Sequence, residues 1–264
     1  MDVQLAHGTW RCRQLGEGTP VLWIHGFPLS SKIYDPQLEI AGVRHIVPDL
    51  PGFGTSPPPV GEMTMDAYAE GVLAILDAAG AASAVVAGLS MGGYIALAVA
   101  RRAMERLCGL ILIDTRETAD DEPGRAKRFE MIETVQREGT GPVVEAMLPK
   151  MLTEETRAND ATAVERVRRI MESASPEGVV AALRAMAARP DSSDFLPKIE
   201  VPALVVAGRE DPITPPADAE RMRQAIPGAE LAIIDRAAHL SNFERSEEFN
   251  RVAGAFLTRV QPRR

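Results

Sequence analysis

The sequence predicts an α/β fold in which a mostly parallel sheet is flanked by helices. Apolar runs of strand length alternate with segments of helical periodicity, which is the pattern of successive β-α units. Residues 21–24 form a run without any polar side chain, as expected for a strand buried on both faces of a parallel sheet. A chain of 264 residues is long enough to bury a substantial core in one such fold.

Six strands and four core helices follow from these patterns. The predicted strands are residues 21–24, 45–47, 83–87, 109–113, 203–207 and 230–234. We expect Pro48 to end the second strand, because proline cannot donate a hydrogen bond to a ladder. Helical periodicity covers residues 65–79, 91–102, 216–226 and 246–260. Pro215 and Pro216 give the third of these helices a stiff first turn.

The segment from residue 115 to 195 interrupts this alternation. It contains no apolar run of strand length, and helical patterns cover residues 123–138, 142–151, 154–172 and 176–188. We therefore expect an all-helical cap at 115–195, inserted into a core formed by 1–114 and 196–264. The methionines of this cap are either ordinary helix core or the lining of an adaptable apolar pocket, since thioethers fill irregular space.

Composition and charge exclude several classes of protein. The content of 45% hydrophobic and 25% charged residues is that of a globular protein, which argues against disorder, collagen and coiled coil. The net charge of −8 argues against a nucleic-acid-binding surface. Two cysteines give no disulfide framework, and four scattered histidines have no metal-binding spacing. No secretory leader or membrane-spanning run is visible, so we expect a soluble cytoplasmic protein.

Gly88-Leu89-Ser90-Met91-Gly92 is a Gly-x-Ser-x-Gly motif that follows a predicted strand and opens a predicted helix. The turn is so sharp that the serine backbone is strained, and Gly88 and Gly92 let the strand and the helix pass each other closely. The hydroxyl of Ser90 would then lie near the positive end of the helix, where developing negative charge is stabilised. Ser90 is the predicted nucleophile, and the alternative is a tight turn with an incidental serine.

A serine hydroxyl is a poor nucleophile unless a base takes its proton. His239 follows the last predicted strand, at the same edge of the sheet as Ser90, and is the candidate base. A histidine in this role needs a carboxylate to hold its tautomer and to stabilise the imidazolium.

Three carboxylates are candidates for the partner of His239. Asp211 follows strand 203–207 and precedes Pro212, which fixes its turn, so we favour it. Glu210, the residue directly before Asp211, is another candidate. Asp114 lies at the end of strand 109–113 and is the second choice, although it could instead make a strand-end turn or pair with Arg116.

The order Ser90, Asp211, His239 resembles that of the α/β-hydrolases. His25-Gly26-Phe27-Pro28 resembles their His-Gly-x-Pro oxyanion segment, and residues 49–56 resemble their Asp-x-x-Gly-x-Gly-x-Ser loop. The resemblance covers essentially the whole chain and is least specific in the helical cap, which it places after the sixth strand. Among members of the family, the sequence is most similar to small cytoplasmic carboxylesterases and enol-lactonases.

The resemblance also implies an oxyanion hole formed by the backbone N–H groups of Phe27 and Met91. The second assignment agrees with helix geometry, because the first N–H of a helix has no intrahelical acceptor. His25 and Gly26 would support this segment, with His25 bracing the loop through hydrogen bonds and taking no direct part in catalysis.

These observations predict a serine hydrolase that cleaves carboxylic esters through an acyl-enzyme on Ser90, with His239 as general base and Asp211 orienting it. A lactonase or a cofactor-free perhydrolase (haloperoxidase) would use the same residues, and a carbon–carbon bond hydrolase or a small-molecule receptor is a further alternative. Ser90 argues against dehalogenases and epoxide hydrolases, which use aspartate. No nucleotide-binding or metal motif is present, so we expect no cofactor and no metal. The expected partner is a small ester or lactone, with neither nucleic acid nor membrane, and the oligomeric state stays open.

Overall fold

A twisted sheet of eight strands runs through the computed structural model, which describes residues 1–260. The spatial order is β1-β2-β4-β3-β5-β6-β7-β8, and every neighbouring pair from β4 to β8 in this order is parallel. Only β1 and β2 add antiparallel pairs. The strands are β1 (Asp2–Leu5), β2 (Gly8–Leu15), β3 (Thr19–Ile24), β4 (Val43–Asp49), β5 (Ala84–Leu89), β6 (Leu107–Ile113), β7 (Ala203–Gly208) and β8 (Glu230–Ile234).

Helices cover both faces of the sheet and confirm the predicted fold class. Successive residues of a strand point to opposite faces, so Leu22 and Ile24 belong to one hydrophobic cluster while Val21 and Trp23 belong to the other. All four side chains are fully buried. The helices around the sheet are α1 (Met65–Ala78), α2 (Met91–Arg102), α8 (Pro216–Ala225), α9 (Ser241–Glu244) and α10 (Ser246–Leu257), with a 3-10 helix at Ser31–Glu39.

The prediction that Pro48 ends a strand is wrong. Strand β4 includes Pro48, which lies opposite Cys12 of β2. The N–H of Cys12 donates to the carbonyl of Met1 at 2.9 Å, away from β4, so Pro48 occupies a position that needs no donor. On its other side the ladder to β3 has already ended at Ile46.

The hairpin of β1 and β2 was not predicted, because it has no continuous apolar run. In β2 the buried side chains of Trp10 and Cys12 alternate with the exposed side chain of Arg11. Such alternation is typical of a strand with one face on the core and one in solvent.

Five helices and no strand lie between β6 and β7, and we call residues 115–195 the helical insert. The prediction of one helix over 154–172 is wrong, since two helices meet at Asp160. The φ of −129° and ψ of 77° at Asp160 are not helical, and its carboxylate accepts the N–H of Ala163 at 2.9 Å as an N-cap. The helices are α3 (Glu122–Glu138), α4 (Gly141–Met151), α5 (Glu154–Asn159), α6 (Ala161–Glu172) and α7 (Pro176–Ala187).

The helical insert contacts the loop after β4 through a pair of glycines. The N–H of Ser175 donates to the carbonyl of Gly52 at 2.7 Å. A Cβ atom on Gly178 would lie 2.6 Å from the Cα of Gly52, a distance that real Cβ contacts do not reach. The first turn of α7 can therefore lie against the loop after β4 only because both positions lack a side chain.

We expect Gly178→Ala to lower the free energy of unfolding by about 1–3 kcal/mol, because the added methyl group overpacks this contact. For a chain of this size each kcal/mol changes Tm by about 2–4 °C, which differential scanning calorimetry resolves. Gly141→Ala is the control in the same insert, since a Cβ there would meet no atom within 4 Å. Equal Tm values for the two variants would contradict the tight contact.

Candidate active site

Ser90 is the single residue between β5 and α2, and its backbone is strained. Its φ of 52° and ψ of −113° lie in a region that non-glycine residues rarely adopt. A Cβ atom on Gly88 would lie 2.1 Å from the carbonyl oxygen of Gly92, and one on Gly92 would lie 2.1 Å from that of Ile24. The two glycines of the motif are therefore required for the close passage of strand and helix.

The structure brings Ser90, His239 and Asp211 into one hydrogen-bonded chain. His239 Nε2 lies 2.8 Å from Ser90 Oγ, and His239 Nδ1 lies 2.7 Å from Asp211 Oδ2. The imidazole is buried, whereas Ser90 is partly accessible. Because an ionised carboxylate only accepts hydrogen bonds, Nδ1 carries the proton and Nε2 of the neutral ring accepts from the serine hydroxyl.

The carboxylate of Asp211 receives several hydrogen bonds besides that of His239. Its Oδ1 accepts the N–H groups of Ile213 (2.7 Å) and Thr214 (3.0 Å), and its Oδ2 accepts the hydroxyl of Thr214 (2.6 Å). Burial works to raise the pKa of Asp211, but the charge of His239 and these hydrogen bonds outweigh it. The pKa of Asp211 therefore lies below its usual range.

The pKa of His239 is raised above its usual value. Burial works to lower it, but the charge and the hydrogen bond of Asp211, together with the charge of Asp114, favour the imidazolium more strongly. The nearby guanidinium of Arg116 opposes this shift. The site therefore supports a positive charge on the ring next to Ser90.

Asp114, the alternative acid, is fully buried but bonds to other groups. Its Oδ1 accepts the N–H of Gly208 (2.8 Å), and its Oδ2 accepts both the N–H (2.9 Å) and the hydroxyl (2.7 Å) of Ser241. Burial and the neighbouring Asp211 raise the pKa of Asp114 to about 7. Asp114 thus ties the end of β7 to the residues after His239. Arg116, the possible partner of Asp114, pairs with Asp218 at 3.4 Å. Glu210, the third candidate for the partner of His239, is exposed.

The predicted oxyanion segment lies directly beside Ser90. A Cβ atom on Gly26 would come within 3.2 Å of the Ser90 Cβ, so the backbone before Phe27 passes close to the serine. Met91 is the first residue of α2, so its N–H has no acceptor within the helix. The assignment of the Phe27 and Met91 N–H groups to an oxyanion hole stays a prediction.

Both ring nitrogens of His25 are bonded to backbone groups. The N–H of Leu50 donates to Nε2 at 3.0 Å, so Nδ1 carries the proton and donates to the carbonyl of Gly26 at 2.8 Å. Burial lowers the pKa of His25, which keeps the ring neutral. His25 thereby joins the segment of Phe27 to the loop after β4.

Sequence reasoning missed two threonines that hold the site. Thr214 bonds to Asp211 as described above, and its Asp-x-x-Thr spacing is a turn signal that could have identified it. Thr115 donates its hydroxyl to the carbonyl of Ser90 at 2.7 Å, across 25 residues of sequence. No local pattern predicts such a contact.

A cavity of about 760 Å³ lies between α6 and the loops after β3 and β4. The ion pair of Arg166 with Asp35 (3.1 Å) joins its two walls. Within residues 1–260, no group of three or more histidine, cysteine or acidic side chains could hold a metal ion. No helix in the same range is long and apolar enough to cross a membrane.

Comparisons with known proteins agree with this architecture. A family model described as alpha/beta hydrolase fold matches residues 19–246. The 3-oxoadipate enol-lactonase 2 of Acinetobacter baylyi is 28% identical over 211 residues, which cover 80% of this chain and 77% of that protein. A thermophilic esterase from Thermogutta terrifontis has a TM-score of 0.94 and 38% identity, covering 98% of both chains.

The enol-lactonase from Burkholderia xenovorans LB400 has a TM-score of 0.91 and 26% identity, covering 98% of this chain and 100% of that one. These similarities extend over nearly all of the sheet and the helical insert. The match of the family model to most of the chain, on an eight-stranded mostly parallel sheet, shows that this protein belongs to the α/β-hydrolase family and is an enzyme of that superfamily.

Proposed function

We propose that this protein is a serine hydrolase that cleaves carboxylic esters. The observation that carries the proposal is the hydrogen-bonded chain from Ser90 Oγ through the ring of His239 to Asp211. This arrangement can activate a hydroxyl and hold the proton that it loses. The similarity to an esterase at 38% identity over nearly the whole chain supports the same reaction class.

In the first half of the proposed reaction, Ser90 Oγ attacks the carbonyl carbon of the ester while His239 Nε2 takes the hydroxyl proton. The carbon–oxygen bond to the alcohol then breaks, and the leaving oxygen takes that proton from Nε2. The product is an acyl-enzyme on Ser90. Asp211 stabilises the imidazolium that exists between the two proton transfers, which agrees with the raised pKa of His239.

In the second half, a water molecule gives a proton to His239 Nε2 and attacks the acyl carbon. The bond to Ser90 Oγ breaks, Oγ regains the proton, and the carboxylic acid leaves. In both halves negative charge develops on the former carbonyl oxygen, and we assign its stabilisation to the N–H groups of Phe27 and Met91. One such donor lowers the barrier by about 2.7–4 kcal/mol.

We assign the helical insert, residues 115–195, as a cap on a core formed by 1–114 and 196–264. The insert turns apolar side chains of α4 toward the sheet domain, and Met147 packs against the hydrophobic clusters of both faces. We propose that this part of the insert contributes to the acyl site, where a flexible thioether would suit acyl groups of different shape.

A lactonase is the second candidate, because two of the similar proteins are named enol-lactonases. The same residues would open a cyclic ester, with the alcohol remaining attached to the acyl group. We would measure kcat/KM for p-nitrophenyl esters and for lactones of graded chain length, beside a peroxide-dependent halogenation assay. A higher kcat/KM for esters than for lactones supports the first proposal, and a higher value for lactones supports the lactonase. Halogenation without hydrolysis of either substrate contradicts both.

We expect Ser90→Ala to lower kcat/KM for p-nitrophenyl acetate by at least about 10³-fold, because no acyl-enzyme can form. An organophosphate should also label Ser90 and no other residue, since its hydroxyl is partly accessible and bonded to His239 Nε2. The Thr214 hydroxyl, 3.3 Å from Nδ1, is buried and donates to Asp211. Mass spectrometry of the digested protein locates the adduct.

Ser193→Ala is the control for this experiment, because Ser193 is exposed and lies outside the site. This variant should keep both the activity and the labelling of the original protein. An adduct on another serine, or activity of a few per cent in Ser90→Ala, would contradict the covalent mechanism.

We expect kcat/KM to fall on acidification, because the general base must be neutral imidazole. The pKa of His239 is raised, so the midpoint should lie above the ordinary histidine value of about 6.5. Asp211→Asn removes the main group that raises it, so the acid limb should move to lower pH while the rate drops by about 10⁴-fold.

Asp114→Asn is the matched comparison for this pH profile. Asp114 also raises the pKa of His239 but is not bonded to the ring. Asp114→Asn should therefore shift the acid limb of the pH profile less than Asp211→Asn does. The positive charge of Arg116 acts to lower the pKa of His239. A larger displacement in Asp114→Asn than in Asp211→Asn would show that the acid partner lies on β6.

A further inference from the structure

The loop between β8 and α9, residues 235–240, carries His239 and has no helix or strand of its own. We call it the histidine loop. The N–H of Glu210 donates to the carbonyl of Ala237 at 2.9 Å. The N–H of Ala238, directly before the histidine, donates to Oε2 of Glu244 at 2.6 Å. A side-chain carboxylate thus fixes the Ala237–Ala238 peptide, one residue before the histidine.

The other oxygen of the same carboxylate binds the helical insert. Glu244 Oε1 accepts the N–H of Thr153 at 2.9 Å and its hydroxyl at 3.0 Å. Thr153 lies between α4 and α5, 91 residues before Glu244 in the sequence. Its hydroxyl oxygen also accepts the N–H of Thr156 at 3.1 Å and lies 3.0 Å from the Thr156 hydroxyl. When the Thr156 hydroxyl donates to this oxygen, the hydrogen of Thr153 is left for the carboxylate.

We propose that Glu244 is a positioning residue that couples the helical insert to the imidazole of His239. Both ends of the link consist of donors that face the carboxylate of Glu244. Thr153 is buried and Glu244 is partly buried, which limits the competition of water for these hydrogen bonds. A displacement of Thr153 is therefore transmitted to the peptide before His239. This inference rests on the proposed function, in which Nε2 must stay within hydrogen-bond distance of Ser90.

A second contact joins the same two segments and provides a matched control. Arg245 follows Glu244 and pairs with Glu155 of α5 at 3.5 Å, with the Glu155 side chain mostly exposed. Neither residue of this pair bonds to the histidine loop. Glu155→Gln therefore weakens the attachment of the insert without breaking the link to Ala238.

The test compares Glu244→Gln, Thr153→Val and Glu155→Gln in the full-length chain with p-nitrophenyl acetate as substrate. In Glu244→Gln the amide oxygen can accept hydrogen bonds from either Thr153 or Ala238, but not from both. The NH2 group then faces the N–H donor of the other residue, and that hydrogen bond is lost. A misplacement near 1 Å costs up to about 10²-fold, so kcat should fall roughly 10- to 100-fold with KM nearly unchanged.

Thr153→Val should lower kcat by a smaller factor, because it removes one of the three hydrogen bonds to the Glu244 carboxylate and leaves those of the Thr153 and Ala238 N–H groups. It also removes the N-cap of α5 at Thr156, so the Tm of this variant is measured as well. The double variant with Glu244→Gln should be no worse than Glu244→Gln alone, since both changes break one link. Glu155→Gln should change kcat by less than about twofold, as expected for an exposed ion pair.

The proton resonance of His239 Nδ1–H, read by NMR, reports the position of the imidazole without turnover. It should shift in Glu244→Gln and in Thr153→Val but not in Glu155→Gln. If the original protein hydrolyses no ester, the proposed function fails, yet this resonance still tests the coupling.

Three results would overturn the coupling. The first is a loss of kcat in Glu244→Gln no larger than in Glu155→Gln. The second is an effect on KM alone. The third is an unchanged resonance in a folded variant. If Glu244→Gln does not fold, Thr153→Val decides, because it leaves the bond from Ala238 to the carboxylate intact.

Discussion

The site depends on one strained turn, at which β5 ends and α2 begins with only Ser90 between them. Holding a non-glycine residue in this conformation costs about 1–3 kcal/mol. The flanking side chains of Leu89 and Met91 are fully buried, and their burial in the core offsets that cost. Because β5 lies within the parallel part of the sheet, its neighbours β3 and β6, and β7 beyond β6, end at the same edge. They deliver the segments of Phe27, Asp114 and Asp211 to the serine.

Two buried carboxylates, those of Asp211 and Asp114, lie near His239, and their surroundings shift their pKa values in opposite directions. Asp211 faces the imidazole directly, which with its other hydrogen bonds lowers its pKa and keeps it ionised. Asp114 has no bond to the ring, and burial beside Asp211 raises its pKa to about 7. The imidazolium is thus matched by one partner, Asp211, whose ionised form the site stabilises. The second carboxylate ties Gly208 to Ser241 and so aligns the two loops that carry the pair.

Much of the fold and of the candidate site could be predicted from sequence, because the buried strands and the turn at Ser90 each require particular residue types within a few positions. The buried strands need apolar runs, and the turn at Ser90 needs glycine two residues away on each side. The hairpin of β1 and β2 lacked such a signal, and the helix break at Asp160 depends on a side-chain cap that competes with helix propensity. Contacts such as Thr115 with Ser90 or Thr153 with Glu244 join distant positions, and no spacing in the sequence encodes them.

Besides the bond from Thr115 to the Ser90 carbonyl, the helical insert has two contacts that lead to different parts of the proposed reaction. Its contact at Gly52 and Gly178 lies on the loop after β4, which His25 ties to the segment of Phe27. Its contact at Thr153 leads through Glu244 to the peptide before His239. One path ends at a proposed oxyanion donor and the other at the proposed base. We therefore expect a change in the position of the insert to act on the geometry of bond making and proton transfer in the proposed reaction, as well as on the proposed acyl site.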